Sequence, residues 1–255
     1  MHTGDRIDHG AAVAAETARF AALLADADPT APVPTCPGWT LGDLVRHTGG
    51  VQRWFSVLLR QRIQQPPTSR DVDLGLPARE DGYAAWLSAG AAAAAQVFAD
   101  TDLDAPMWVW GADGHARFWV RRMLFETLVH RVDAERTLGL GSAIDPELAR
   151  DGVDEFLANL PFAALFAPKV AHLRGSGEAI RFRCTDTDGT WLVRLRPDGF
   201  GLVADDPGAP AAAEVRAAAA DLLLVLYGRL DRTAPAVAAT GDAELLDRWF
   251  ANSAF

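Results

Sequence analysis

The chain has 255 residues and a formal net charge of -10, and 49% of its residues are hydrophobic. This length and apolar content suffice for one large or two ordinary domains. The acidic balance argues against a nucleic-acid-binding protein, because no basic stripe is present to neutralise phosphates. We also find no apolar run of about 18 residues and no uninterrupted signal-peptide core, so we expect neither a membrane span nor a targeting segment.

The two cysteines, Cys36 and Cys184, lie far apart and match no zinc-ligand spacing. We therefore expect a cytoplasmic protein without disulfide bonds. Cys36 precedes Pro37 in a turn, with no base evident beside it. It is either a nucleophile or a small structural residue.

Amphipathic patterns predict four helices in the first part of the chain. They cover roughly residues 5–25, 40–65, 79–99 and 116–138. Thr40 and Asp43 form a capping-box-like start for the second helix, and Gly139 follows the end of the fourth. Four helices of this length joined by loops favour a four-helix bundle.

The chain changes character at about residues 140–150. Asp145-Pro146-Glu147 predicts another helix start. Alternating apolar and polar residues then predict strands and a hairpin, followed by two further helices. The predicted strands are 180–184, 191–196, 200–203 and 213–216, and the predicted helices are 218–227 and 243–250. We expect a small α+β domain with an antiparallel sheet.

Three ionisable residues fall on the apolar faces of two predicted helices. Glu126 and His130 lie four positions apart and share one face of the fourth helix, and His47 lies in the apolar stripe of the second. Burying such groups costs several kcal/mol unless they are paired or bound to metal. Two interpretations follow: histidine–carboxylate hydrogen bonds that stabilise the bundle, or a metal site with two histidines, one carboxylate and open positions.

Two other residues allow a functional and a structural interpretation. Asp133, close to His130 in sequence, is either a partner of a ligating histidine or an ordinary surface charge of the helix. His115, beside Asp113, is either a substrate contact or an exposed loop residue.

Three stretches of the sequence resemble the mycothiol-dependent maleylpyruvate isomerase family. They are residues 34–47, PTCPGWTLGDLVRH; residues 121–135, RRMLFETLVHRVDAE; and residues 221–230 with 241–246, DLLLVLYGRL and GDAELL. The resemblance covers nearly the whole chain in order. One departure is Phe125, which stands where relatives often have histidine.

This resemblance implies a two-domain α+β protein. Residues 1–143 would form a DinB-like metal-binding four-helix bundle, and residues 144–255 a sterol-carrier-like α+β domain. His47, Glu126 and His130 would bind a divalent metal, usually zinc, which in the isomerase binds the thiol of mycothiol, an actinobacterial cosubstrate. Arg229 best matches the arginine of the second domain that assists with substrate.

Several activities are compatible with this ligand set. A metal-bound thiol loses its proton near neutral pH. Addition of the thiolate to a double bond, rotation and expulsion would isomerise a small electrophile, whereas addition alone would make a thiol transferase. A metal-hydroxide hydrolase and a non-catalytic regulatory or stress protein remain alternatives. Expected partners are the electrophile and the thiol, with no nucleic acid or membrane, in a monomer or homodimer.

Overall fold

A computed structural model of the chain describes residues 7–67, 72–203 and 209–253. The chain divides into two compact units. One consists of Met1–Val109 and Asp113–Ser142, and the other of Trp110–Ala112 and Ala143–Phe255. Within the described ranges, no helix combines the length and the apolarity that a membrane crossing requires.

Four long helices dominate the first unit. They are α1 (His9–Leu23), α2 (Leu41–Gln61), α3 (Tyr83–Ala99) and α4 (Arg117–Thr137). Both α1 and α2 contact α3 and α4. Large apolar side chains fill a core between them, including Phe20, Leu44, Tyr83, Trp86 and Leu87. The helices predicted from the apolar periodicity are therefore all present. The third starts later than predicted, because the 3-10 turn Glu80–Gly82 precedes it.

The start of α2 is fixed by the predicted capping box. The Asp43 amide donates to Thr40 Oγ1 at 3.2 Å, and the Thr40 amide donates to Asp43 Oδ2 at 2.9 Å. Two backbone donors that the helix cannot use are satisfied in this way. His47 lies two turns further along α2, so the cap helps to set the position of its side chain.

Most of α4 is buried, including several of its charged residues. Arg131 is fully buried and pairs with Glu16 on α1 at 2.5 Å and with Glu135 at 2.6 Å. A buried charge requires such partners, since desolvation otherwise disfavours the folded state. The buried charge of Arg131 on α4 is therefore compensated by two carboxylates.

In its described residues, the second unit contains three α-helices and a five-stranded sheet. The helices are α5 (Pro146–Asn159), α6 (Ala219–Leu226) and α7 (Ala243–Asn252). The strands are β1 (Ala179–Cys184), β2 (Thr190–Arg196), β3 (Gly199–Val203), β4 (Ala213–Ala217) and β5 (Ala238–Gly241), in the sheet order β3-β2-β1-β4-β5. Two 3-10 helices, Leu160–Leu165 and Pro168–His172, precede the sheet. Trp249 of α7 packs on the apolar face, with its ring centroid 5.3 Å from that of Phe182.

The sheet is mixed, which corrects the expected antiparallel arrangement. Pairs β1–β2, β2–β3 and β4–β5 are antiparallel, but β1 and β4 run parallel, with Phe182 opposite Val215. β3 and β4 therefore run in the same direction, with β2 and β1 between them in the sheet. Local alternation predicts a strand but does not reveal which strand it pairs with.

Candidate metal centre

Side chains from α2 and α4 converge at one point of the first unit. His47 Nε2 lies 2.9 Å from Glu126 Oε1, and His130 Nε2 lies 3.3 Å from the same oxygen. One ligand atom from each residue lies within 4.8 Å of the others. Residues 79 positions apart in sequence are therefore brought together by the packing of α2 against α4.

The donor set and its spacing fit a divalent metal ion. Donors about 2.1 Å from one tetrahedral ion lie roughly 3.4 Å apart, close to both imidazole–carboxylate separations. Two neutral imidazoles and one carboxylate supply three protein ligands, which leaves a position open for a small molecule, as in catalytic zinc sites. The ligand set inferred from the family resemblance is geometrically compatible with this role.

The cluster is accessible from one side. The His47 side chain is 35% exposed, whereas that of His130 is 10% exposed. The half-buried indole of Trp39 borders both imidazoles, with centroid distances of 4.9 Å to His47 and 6.2 Å to His130. A ligand that approaches from the side of His47 would therefore contact the indole of Trp39.

Asp133 is a fully buried partner of His130, not the ordinary surface charge that the sequence favoured. Its Oδ2 lies 2.9 Å from His130 Nδ1, and its Oδ1 accepts from Thr35 Oγ1 at 2.5 Å. Because an ionised carboxylate only accepts hydrogen bonds, Nδ1 carries the proton. The Nε2 of His130 is then left to face Glu126 and His47.

Cys36 also lies beside this network. Its thiol donates to Asp133 Oδ2 at 3.5 Å, and Cys36, His130 and Asp133 form a second group whose ligand atoms lie within 4.8 Å of one another. The sequence shows no base beside Cys36, but the fold brings Asp133 and His130 of α4 next to it. Cys36 and Asp133 are 97 positions apart in sequence, so local patterns could not show this contact.

Opposing effects set the charge of the cluster. Burial lowers the pKa of His130, but hydrogen bonds with Asp133, Cys36 and Glu126 outweigh it and raise the pKa well above its usual value. Burial raises the pKa of Glu126, but hydrogen bonds from both histidines and the charge of Arg122 hold the pKa well below its usual value. The lowered pKa favours the carboxylate form of Glu126, and the raised pKa favours the imidazolium form of His130, whose second proton a metal ion would have to displace.

Two other predicted residues lie elsewhere. His115 is 40% exposed and pairs through Nδ1 with Asp113 at 2.6 Å, as an ordinary loop residue would. Arg229 belongs to the second unit, where it borders a cleft of about 470 Å³ and its Nη1 donates to the Tyr227 carbonyl at 2.8 Å. Its assignment to substrate binding stays a prediction.

Sequence reasoning gave no role to three residues that contact the cluster. Thr35 and Trp39 lie in the turn before α2. The sequence pointed to them only in that they belong to the family-like stretch 34–47, which also contains His47. Arg122 could have been found, because it lies four positions before Glu126 on the same helix. Its Nη2 donates to Glu126 Oε2 at 2.9 Å.

Fold and site together define a class of two-unit α+β proteins in which a helical unit carries a two-histidine, one-carboxylate cluster. Two family models cover most of the chain. The mycothiol maleylpyruvate isomerase N-terminal domain matches residues 11–135, and the C-terminal domain of the same family matches residues 147–248. The chain belongs to the mycothiol maleylpyruvate isomerase family.

Two crystal structures of the mycothiol-dependent maleylpyruvate isomerase share this fold. One, of a point mutant, has a TM-score of 0.61 and 14% identity, covering 92% of this chain and 93% of that chain. The other has a TM-score of 0.60 with the same identity and coverage. No functionally curated protein matches the chain in sequence. At such low identity the likeness concerns the fold.

Proposed function

We propose that this protein is a metal-dependent enzyme that uses mycothiol to isomerise a small electrophile or to transfer the thiol to it. The observation that carries the proposal is the approach of His47 Nε2 and His130 Nε2 to one oxygen of Glu126. Family membership favours mycothiol as the thiol and a maleylpyruvate-like electrophile as substrate. On this proposal, residues 1–143 are a DinB-like bundle that holds the metal, and residues 144–255 a sterol-carrier-like domain.

His47, Glu126 and His130 would hold the ion, most simply Zn²⁺. A bound divalent cation lowers the pKa of a coordinated thiol or water, so that the deprotonated form is available near neutral pH. The two imidazoles must be neutral to bind it, and Asp133 assists by holding the proton of His130 on Nδ1. Thr35 in turn fixes Asp133 through the other carboxylate oxygen.

Other residues would act on the organic ligands. Trp39 covers one side of both imidazoles and would exclude water there. Arg229 is our candidate for contact with an anionic group of the electrophile, since a guanidinium can bind a carboxylate with two parallel hydrogen bonds. It is half-buried beside a cleft of the second unit, where a guanidinium is accessible to a small ligand.

The decisive experiment is metal analysis combined with a thiol-binding assay. Protein purified without chelator should contain one divalent ion per chain, and His47→Ala should lose it. His115→Ala is the matched control, because His115 is a histidine of the same unit that pairs with Asp113 instead. A wild-type chain without stoichiometric metal would contradict the proposal.

The thiol assay separates the remaining activities. We expect the metal-loaded protein to bind mycothiol and to isomerise maleylpyruvate or conjugate a model electrophile. Metal binding without thiol binding, together with ester or amide cleavage, would instead support a hydrolase. Metal binding with neither activity would support a regulatory protein and refute the enzymatic proposal.

A further inference from the structure

Arg122 and the two histidines bind different oxygens of Glu126. Arg122 lies one turn before Glu126 on α4, and its Nη2 donates to Oε2 at 2.9 Å. His47 and His130 approach Oε1, at 2.9 and 3.3 Å. The two oxygens of one carboxylate are therefore committed to different partners.

The pairing with Arg122 is not an exposed ion pair of the usual weak kind. The Arg122 side chain is only 2% exposed, and that of Glu126 is 22% exposed. Separating a buried guanidinium from its carboxylate is strongly disfavoured, because ionised groups that are kept from water need close opposite charges. Oε2 is thus expected to stay with Arg122 when Oε1 takes a further ligand.

A carboxylate can bind a metal ion through one oxygen or through both. We propose that Arg122 is a positioning residue that restricts Glu126 to a single ligand oxygen and so keeps a coordination position of the metal open for the thiol. This inference rests on the proposed function. It adds that the pairing of Arg122 with Glu126 determines how many coordination positions of the metal stay open.

The charges around the cluster support the same role. A divalent cation and Glu126 together carry one net positive charge, while Arg122 and Asp133 cancel each other around them. One thiolate then brings the cluster to neutrality. Without Arg122, binding of the thiolate would leave a net negative charge in a partly buried site, which is disfavoured.

Cobalt provides a readout that does not depend on turnover. Co²⁺ loaded into the full chain in place of the native metal absorbs in the visible range, and four-coordinate Co²⁺ absorbs several-fold more strongly than higher-coordinate Co²⁺. We expect intense visible bands for the wild type. In Arg122→Met, Glu126 is free to use both oxygens, so the bands should weaken several-fold at full cobalt occupancy.

A double variant covers the case in which Arg122→Met folds poorly. Arg122→Met combined with Glu126→Gln removes both partners of the buried pair, and an amide offers only one oxygen as ligand. We expect its bands to regain wild-type intensity, although cobalt should bind more weakly to the neutral amide. Arg117→Met is the matched control on α4, because Arg117 pairs with Asp113; its spectrum should equal that of the wild type.

Thiol binding gives a second readout. Adding mycothiol to the cobalt form should produce a sulfur-to-cobalt charge-transfer band in the near ultraviolet, weaker in Arg122→Met than in the wild type. Arg122→Met with unchanged visible and charge-transfer bands at full occupancy would overturn the inference, as would a double variant as weakly absorbing as the single one. A wild type that binds neither cobalt nor mycothiol would instead overturn the proposed function itself.

Discussion

At the scale of single residues, the cluster depends on a second layer of contacts. Asp133 is fully buried and lies between Thr35 and the Nδ1 of His130. Partners of this kind orient a ligating imidazole and fix its tautomer. Periodicity along the helix predicted which faces His130 and Glu126 occupy. Periodicity could not predict the hydrogen bond between Thr35 and Asp133, because the two residues are 98 positions apart and a local pattern carries no information about such distant contacts.

Changing Asp133 should weaken metal binding without removing a ligand. We expect Asp133→Asn to lower the affinity for Zn²⁺ by about 10–100-fold, because the amide cannot accept from both sides as the carboxylate does. Thr35→Val should have a smaller effect in the same direction, and competition with a chromogenic chelator measures both. Thr137→Val is the control, since the Thr137 hydroxyl donates to the backbone carbonyl of Asp133 and not to its carboxylate. Unchanged affinity in Asp133→Asn would show that His130 is oriented by other means.

At the scale of secondary-structure elements, a close approach of α2 and α3 positions the helix that carries His47. Gly49 on α2 faces the ring of Trp86 on α3, and a Cβ at Gly49 would overlap that ring. The ring is held in place, because its Nε1 donates to the Leu74 carbonyl at 2.8 Å and the Arg53 guanidinium lies 4.0 Å above it. The absence of a side chain therefore allows this approach.

Adjacent glycines should respond in opposite ways to alanine. Gly49→Ala should destabilise the protein by up to about 2 kcal/mol, because overpacking costs about 1–3 kcal/mol and the gain in helix propensity offsets only about 1 kcal/mol of it. At Gly50 the new Cβ would lie 3.7 Å from Leu74, an ordinary contact, so Gly50→Ala should be neutral or stabilising by up to about 1 kcal/mol. Denaturant titration of both variants measures the difference. Equal effects at the two positions would refute a steric role for Gly49.

The elements themselves were largely predictable, and the failures have identifiable causes. Helix starts at Thr40 and Asp145 depend on residues three positions or fewer away, so the sequence shows them directly. Strand β5 was missed, because Ala238–Gly241 is exposed along its whole length and carries no alternation. The parallel pairing of β1 with β4 was missed because strand partners are chosen over long distances in the chain.

At the scale of the whole molecule, the proposed metal would couple α2 to α4. These helices contact each other, and a shared ion would add a link that the unfolded chain lacks. Binding that favours the folded state stabilises it by mass action. The effect should be confined to the unit that contains the ligands, since the second unit has its own core around the sheet.

Removal of the metal should therefore destabilise the helical unit selectively. A metal at about 100 times its Kd contributes about 2.7 kcal/mol, which corresponds to a melting shift of roughly 5–10 °C for a unit of this size. Hydrogen exchange followed by mass spectrometry should show lost protection in α2 and α4 after chelation, while β1 and β2 serve as the internal control. Equal loss in both units, or none, would argue against a metal held only by His47, Glu126 and His130.

The short turn before α2 has a consequence for engineering. It supplies Thr35 to Asp133, Trp39 to both imidazoles and Thr40 to the cap of α2. If the proposed metal site is correct, a library that randomises this turn would mostly return clones with weakened metal binding, because one exchange disturbs the orientation of side chains on both helices. A design that moves the cluster into another helical scaffold should therefore transfer this turn together with α2 and α4.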